Sequence, residues 1–91
     1  MVSIVFIIMF YDIGERRVTK ALHISRKYLT WVQNSVFEGE ISVANLRRLK
    51  SELNEIIDQD SDSIIIYVLN STKYTERQIL GIEKNSRSNI I

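Results

Sequence analysis

Residues 4–11 read IVFIIMFY and are followed by DIGERRVTK at residues 12–20, so a strongly apolar run ends abruptly at an acid and a group of cations. The apolar run is rich in β-branched and aromatic residues without polar alternation, which is typical of a central strand covered on both faces. It is shorter than the ~20 residues of a membrane span and lacks the preceding basic residues of an export signal. We therefore predict a buried central strand with Asp12 at its carboxyl end.

A helix is predicted to begin near Glu15, because two stripes with helical spacing follow that residue. The first stripe is expected to be buried and consists of Val18, Leu22, Ser25 and Leu29. The second stripe is cationic and consists of Arg16, Lys20, His23 and Lys27. The helix is therefore amphipathic, with a basic outer surface.

The rest of the sequence predicts a strand region, a second helix and two further strands. Alternation in residues 31–37 predicts one strand or two short strands bent near residues 34–35, which Gly39 ends or bulges. Ser42 is a suitable N-cap for a second helix. Its buried stripe would be Leu46, Leu49, Leu53 and Ile56. A buried strand at residues 63–69, which read SIIIYVL, and a shorter strand near residues 78–82 would follow.

This order predicts an α+β fold, a single domain over residues 1–91. It is a ferredoxin-like βαββαβ protomer with an extra C-terminal strand, in which both helices cover one face of an antiparallel sheet. The other face would then expose apolar side chains unless a second copy covered it, so we expect a homodimer. The apolar Ile90 and Ile91 suggest that residues 83–91 pair with the sheet edge of the partner.

The distribution of charge along the chain says more about function than the overall composition does. The chain has 91 residues, 12 Lys and Arg, 11 Asp and Glu, and a net charge of +1. Its first third is basic, and its middle third is acidic and includes Asp58, Asp60 and Asp62 in one loop. The absence of Cys excludes disulfides and thiolate metal sites and is compatible with a reducing compartment. We expect a cytoplasmic protein with no membrane partner.

Asp12 has two interpretations. Its spacing to Glu15 fits a capping box, in which the carboxylate accepts backbone N–H groups at the start of the helix. Alternatively, its place at the end of a central strand suits a functional site. Because Mg²⁺ takes one or two protein carboxylates and completes its shell with water and phosphate oxygens, two copies of Asp12 in a dimer would suffice.

The basic residues also have two interpretations. They are either the solvated face of a helix or a surface that holds nucleic-acid phosphates. Five cations and His23 lie within residues 16–27 with no acid among them, which favours phosphate contact with a duplex backbone. Tyr11, Trp31 and Phe37 are expected to pack within the protein rather than stack on bases.

The sequence resembles the CRISPR-associated Cas2 family along essentially its whole length. The resemblance rests on the strand ending in YDI, on RRVTKALHISRKYLTWVQNSVFEGEIS after it, and on DSIIIYVL. It implies a ferredoxin-like protomer and a homodimer in which the C-terminal segment completes the partner's sheet. By this resemblance Asp12 matches the family's metal-binding aspartate, Arg16 or Arg17 and Arg26 match its basic helix positions, and Phe37 matches the aromatic residue of SVFEG, with a structural role.

Two functions follow from the resemblance. The first is a Mg²⁺-dependent endonuclease of spacer acquisition, which cleaves single-stranded RNA or double-stranded DNA. In it, Asp12 is the catalytic and metal-binding residue, and the following cations hold the nucleic acid: Arg16, Arg17, Lys20, Arg26 and Lys27. The second is a non-catalytic dimeric scaffold that holds prespacer DNA for the Cas1 integrase.

Overall fold

The computed structural model describes residues 3–70 and 73–83 and contains, in those ranges, five strands and two helices. The predicted tail contact of Ile90 and Ile91 lies outside the described residues. In chain order the elements are β1 (Ile4–Asp12), α1 (Glu15–Arg26), β2 (Thr30–Gln33), β3 (Val36–Ser42), α2 (Val43–Ile56), β4 (Ser63–Asn70) and β5 (Lys73–Gly81).

The strands form one sheet in the order β2-β3-β1-β4-β5, and each neighbouring pair is antiparallel. This is the ferredoxin-like arrangement with one more strand beside β4, so the predicted fold class is confirmed. The most apolar strand, β1, lies in the centre because it pairs with β3 on one side and β4 on the other. No helix among the described residues is long and apolar enough to cross a membrane.

Both helices pack on the same face of the sheet. Ile7 and Met9 of β1 are buried in one cluster with Leu49 and Leu53 of α2 and Ala21 of α1. Because strand side chains alternate between faces, Phe6, Ile8, Phe10 and Asp12 point to the opposite side. On that side Phe10 remains 41% exposed. We call it the open face, and its apolar character agrees with the sequence prediction.

Two predictions about the strands were wrong in detail. Gly39 neither ends nor bulges its strand, because it pairs with Ile7 inside an unbroken register from Phe10↔Val36 to Ile4↔Ser42. The irregularity lies instead in β2, between Trp31 and Gln33. The last strand is also longer than predicted and begins at Lys73. Its first half is polar because β5 lies at the edge of the sheet, where a continuous apolar pattern is not needed.

The helices begin where the sequence predicted. Ser42 caps α2 by accepting a hydrogen bond from the Asn45 backbone N–H at 3.0 Å. In α1 the residues that are fully buried are Ala21 and Ser25, while Val18 and Leu22 are half-buried. Six of the twelve residues of α1 are exposed, so one side of the helix is open to contacts outside the protomer.

Candidate active site and nucleic-acid interface

Asp12 is the last residue of β1 and is exposed. It pairs with Ser63, the first residue of the antiparallel strand β4, and strand alternation places it on the open face with Phe10. The two central strands therefore deliver a carboxylate to one corner of the surface that the helices leave uncovered. The predicted position of Asp12 at the carboxyl end of the central strand is confirmed.

The capping interpretation of Asp12 was wrong. The N-cap of α1 is Gly14, which has no side chain of its own to cap the helix. Asp12 lies too early because the backbone stays extended through it to complete the pairing with Ser63. Asp12 is therefore not the N-cap residue of α1.

Asp62, from the loop before β4, fixes the start of α1 instead. Its side chain is 1% exposed and accepts hydrogen bonds from the Gly14 N–H at 2.8 Å and the Asp58 N–H at 2.8 Å. It also accepts two from the guanidinium of Arg17, at 2.6 Å from Nε and 3.0 Å from Nη2. The Arg17 hydrogen bond, with help from the backbone N–H groups, holds the pKa of Asp62 well below its usual range. We call this contact set the Asp62 clamp.

The Asp62 clamp bears on two sequence-based predictions. Arg17 was predicted to bind nucleic acid; within the protomer its guanidinium is paired with Asp62 and its side chain is 29% exposed, so that role stays a prediction. Asp62 lies in the predicted loop with Asp58 and Asp60, but it is buried whereas those two are exposed. The signal that distinguished Asp62 was its position directly before the buried run SIIIYVL, since a charge beside a buried strand needs partners.

Three of the predicted phosphate-binding cations remain available. Within the described part of the chain, Arg16, Lys20 and Arg26 are exposed and form no ion pair. Lys27 follows α1 and contacts Glu52 of α2 at 2.5 Å, and Tyr28 donates to the same carboxylate. The structure therefore retains a basic surface on α1, here called the α1 basic surface, made of Arg16, Lys20 and Arg26.

The hairpin turn between β2 and β3 is fastened to β1 beside Asp12. The Tyr11 hydroxyl donates to the Asn34 carbonyl at 3.0 Å, and the Tyr11 N–H donates to the Ser35 carbonyl at 3.0 Å. Burial raises the pKa of the Tyr11 hydroxyl, partly offset by the charge of Arg26. Phe37 is fully buried and its ring centroid lies 5.9 Å from that of Tyr11, which agrees with the structural role expected for it.

Trp31 departs from the expectation that it packs within the protein. It is 50% exposed, and its Nε1 donates to the Asn34 carbonyl at 3.0 Å. The prediction failed because β2 is an edge strand whose four residues are all exposed, so alternation there does not mark a buried face.

The donor set for a metal ion is sparse within one protomer. The described residues contain no group of three or more His, Cys, Asp or Glu able to hold a metal. Asp12 offers one exposed carboxylate, which fits Mg²⁺ only if water, phosphate oxygens or a second carboxylate complete the shell. A second Asp12 from a partner protomer would meet that requirement.

The open face carries an ordered aromatic group. The rings of Phe10 and Tyr67 meet edge to face with centroids 5.7 Å apart. The guanidinium of Arg77 lies 5.9 Å from the Tyr67 ring centroid and also contacts Glu83 at 2.7 Å. This face therefore combines apolar side chains with a charged border, which is the usual anatomy of a protein interface.

Comparisons with known proteins agree in family and fold. The family model described as CRISPR associated protein Cas2 matches residues 5–77. A relative from Dictyoglomus turgidum named CRISPR-associated endoribonuclease Cas2 is 54% identical over 94% of this chain and 99% of its own. A relative of the same name from Thermotoga maritima is 49% identical over 87% and 91%. A solved structure titled "Crystal structure of cas2" has a TM-score of 0.73 at 36% identity and covers 98% of this chain and 100% of its own.

Proposed function

The chain belongs to the CRISPR-associated Cas2 family, and we propose that it is a Mg²⁺-dependent endoribonuclease of the spacer-acquisition step of CRISPR defence, acting as a homodimer. The relatives that are 54% and 49% identical carry the name endoribonuclease, which supports RNA as the substrate. The observation that carries the proposal is the placement of Asp12, exposed at the end of β1 on the open face.

The open face supports the homodimer. Phe6, Ile8 and Phe10 of β1 lie beside Leu69, Tyr67 and Ile65 of β4 in register, and neither helix covers them. Burying such a continuous apolar surface against a second copy removes it from water, at about 25 cal/mol per Å². Because Asp12 borders the same surface, a two-fold axis near that corner would bring the two carboxylates together.

In the proposed reaction, Asp12, the α1 basic surface and Arg17 have separate roles. Mg²⁺ held by the paired Asp12 carboxylates would polarise the scissile phosphodiester or activate water. The α1 basic surface binds neighbouring phosphates and positions the strand. Arg17 acts indirectly, because with Asp62 it fixes the turn from Asp12 into α1.

The test is cleavage of an end-labelled single-stranded RNA by Asp12→Asn, which keeps the shape of the side chain and removes its charge. We expect cleavage by the natural protein to require Mg²⁺ and stop with chelator, and the variant to lose at least about a hundredfold in rate, roughly 2.7 kcal/mol of barrier. Asp60→Asn, the same change at an exposed loop acid, is the control and should cleave normally. Normal cleavage by Asp12→Asn would refute the assignment.

A non-catalytic scaffold that binds prespacer DNA and the Cas1 integrase is the alternative, and the names of the relatives do not favour it. The observation that supports the scaffold is the α1 basic surface, because these cations would bind DNA phosphates whether or not Asp12 is present. Spacer acquisition in cells separates the two proposals. Normal acquisition with Asp12→Asn would assign the biological role to the scaffold, whereas lost acquisition with intact DNA and integrase binding would assign it to the nuclease.

A further inference from the structure

Trp31, the one tryptophan of the chain, presents an apolar ring to solvent. It is 50% exposed, although its register partner Phe37 is fully buried on the side of the sheet that the helices cover. Its only polar atom, Nε1, is already satisfied by the Asn34 carbonyl. The exposed part of the side chain is therefore π surface, which water solvates poorly and which a planar ligand would cover favourably.

The ring is also held in place. The Asn34 carbonyl accepts from Trp31 Nε1 and from the Tyr11 hydroxyl, each at 3.0 Å, so the two donor atoms lie no more than 6.0 Å apart. Asn34 has a φ of 43°, and the turn that it forms is bonded to β1 through Tyr11. A fixed aromatic ring loses little entropy on binding and is thereby preorganised for a ligand.

A cation acts on the group that holds this ring. The charge of Arg26, exposed in the last turn of α1, partly offsets the raised pKa of the Tyr11 hydroxyl, which donates to the same Asn34 carbonyl as Trp31 Nε1. Glu38, which pairs with Thr30, lies on the other face by strand alternation. An exposed aromatic ring near a cation is the combination by which proteins hold single-stranded nucleic acid, with the base stacked on the ring and a phosphate on the cation.

We propose that Trp31 is a stacking platform for one unpaired base of a single-stranded RNA, with Arg26 on an adjoining phosphate. This inference rests on the proposed endoribonuclease function and names how the substrate is held. Trp31 and Asp12 lie on opposite faces but at the same end of the sheet, because Tyr11, which binds the turn at Asn34, precedes Asp12. Bases inside a duplex are already stacked, so the platform selects single strands.

The test uses the fluorescence of Trp31, which reports on this site alone. The natural protein is titrated with a uridine 12-mer in chelator, so that binding is read without cleavage. We expect the oligonucleotide to quench Trp31 and a duplex of the same length to quench it far less. Since stacking contributes ~1–3 kcal/mol per base, Trp31→Ala should bind the 12-mer about 5- to 150-fold more weakly by anisotropy.

Matched variants make the result specific. Trp31→Phe retains a ring and should recover most of the affinity, whereas Val32→Ala, a neighbouring exposed apolar residue, should bind normally. The salt dependence of binding should be unchanged in Trp31→Ala, because no phosphate contact is lost. Unchanged affinity of Trp31→Ala, or equal quenching by the duplex, would overturn the proposal. Asp12→Asn should still show quenching, so loss of cleavage there leaves this inference standing.

Discussion

Asp62 is the residue on which the geometry of the strand-to-helix junction depends. It joins Gly14, Arg17 and Asp58, and its backbone carbonyl accepts from the Ile82 N–H at 3.0 Å. Gly81 permits this last contact, because its φ is 77° and a Cβ there would lie 2.1 Å from the Asp62 carbonyl oxygen. One buried aspartate thus ties α1, the loop before β4 and the end of β5 together.

Asp62→Asn should lower the free energy of unfolding by about 3 kcal/mol, because an amide places donors against Arg17 and two backbone N–H groups. Urea denaturation at fixed protein concentration measures it. Asp60→Asn changes an exposed loop acid and should stay within about 0.5 kcal/mol of the natural protein. Equal stability of the two variants would show that the clamp contributes little.

The same carboxylate predicts a dependence on pH. Arg17 lowers the pKa of Asp62 in the folded state, so the unfolded chain binds a proton more readily. Its contribution to stability is complete above the unfolded value of about 4 and is lost as pH falls through the folded pKa. The stability difference between the natural protein and Asp62→Asn should therefore shrink between pH 5 and pH 3. A constant difference would contradict the assigned cause.

At the scale of one element, α1 separates its charges by role. Arg17 faces Asp62 and serves the fold, whereas Arg16, Lys20 and Arg26 face solvent. Lys27, just past the helix, is shared with Glu52. A single run of cations in the sequence is thus divided by the direction in which each side chain points.

Replacing Arg16, Lys20 and Arg26 together by Gln should weaken nucleic-acid binding and flatten its salt dependence. Each phosphate contact contributes roughly 0.9 to the slope of log affinity against log salt for duplex DNA and roughly 0.7 for single strands, so the loss should be several units in a dimer. Binding measured from 50 to 400 mM salt provides the slope. Arg47→Gln with Arg48→Gln removes two exposed cations from α2 and is the control. An unchanged slope in the triple variant would show that these three cations of α1 are solvated and do not contact phosphates.

At the scale of the whole molecule, the apolar open face predicts that two protomers associate through it. Phe10→Glu should separate the proposed homodimer without unfolding the protomer, because Phe10 is 41% exposed within one protomer. Sedimentation at micromolar concentration reads the assembly, and circular dichroism reads the fold. Val43→Glu, at a 37% exposed residue where α2 begins, should leave the dimer intact. A folded Phe10→Glu dimer would place the interface elsewhere.

The order of elements, the place of Asp12 and the burial of Phe37 all follow from the sequence. Their signals are local, since the apolar run of β1, the cap at Ser42 and the Leu stripe of α2 report burial by spacing alone. Few chain topologies can connect these strands and helices with short connections, so the order of elements predicts the fold. The resemblance to the Cas2 family implies the same fold.

The tertiary structure alone decided which charged and aromatic residues are used inside the protein. Asp62 meets Gly14 and Arg17 across 48 and 45 residues of chain, and Trp31 is exposed because β2 lies at the edge of the sheet. A charged or aromatic residue looks the same in the sequence whether its side chain faces water or contacts another part of the protein. Only the register of strands and the packing of α1 fix that choice, because they bring together residues that no local period relates.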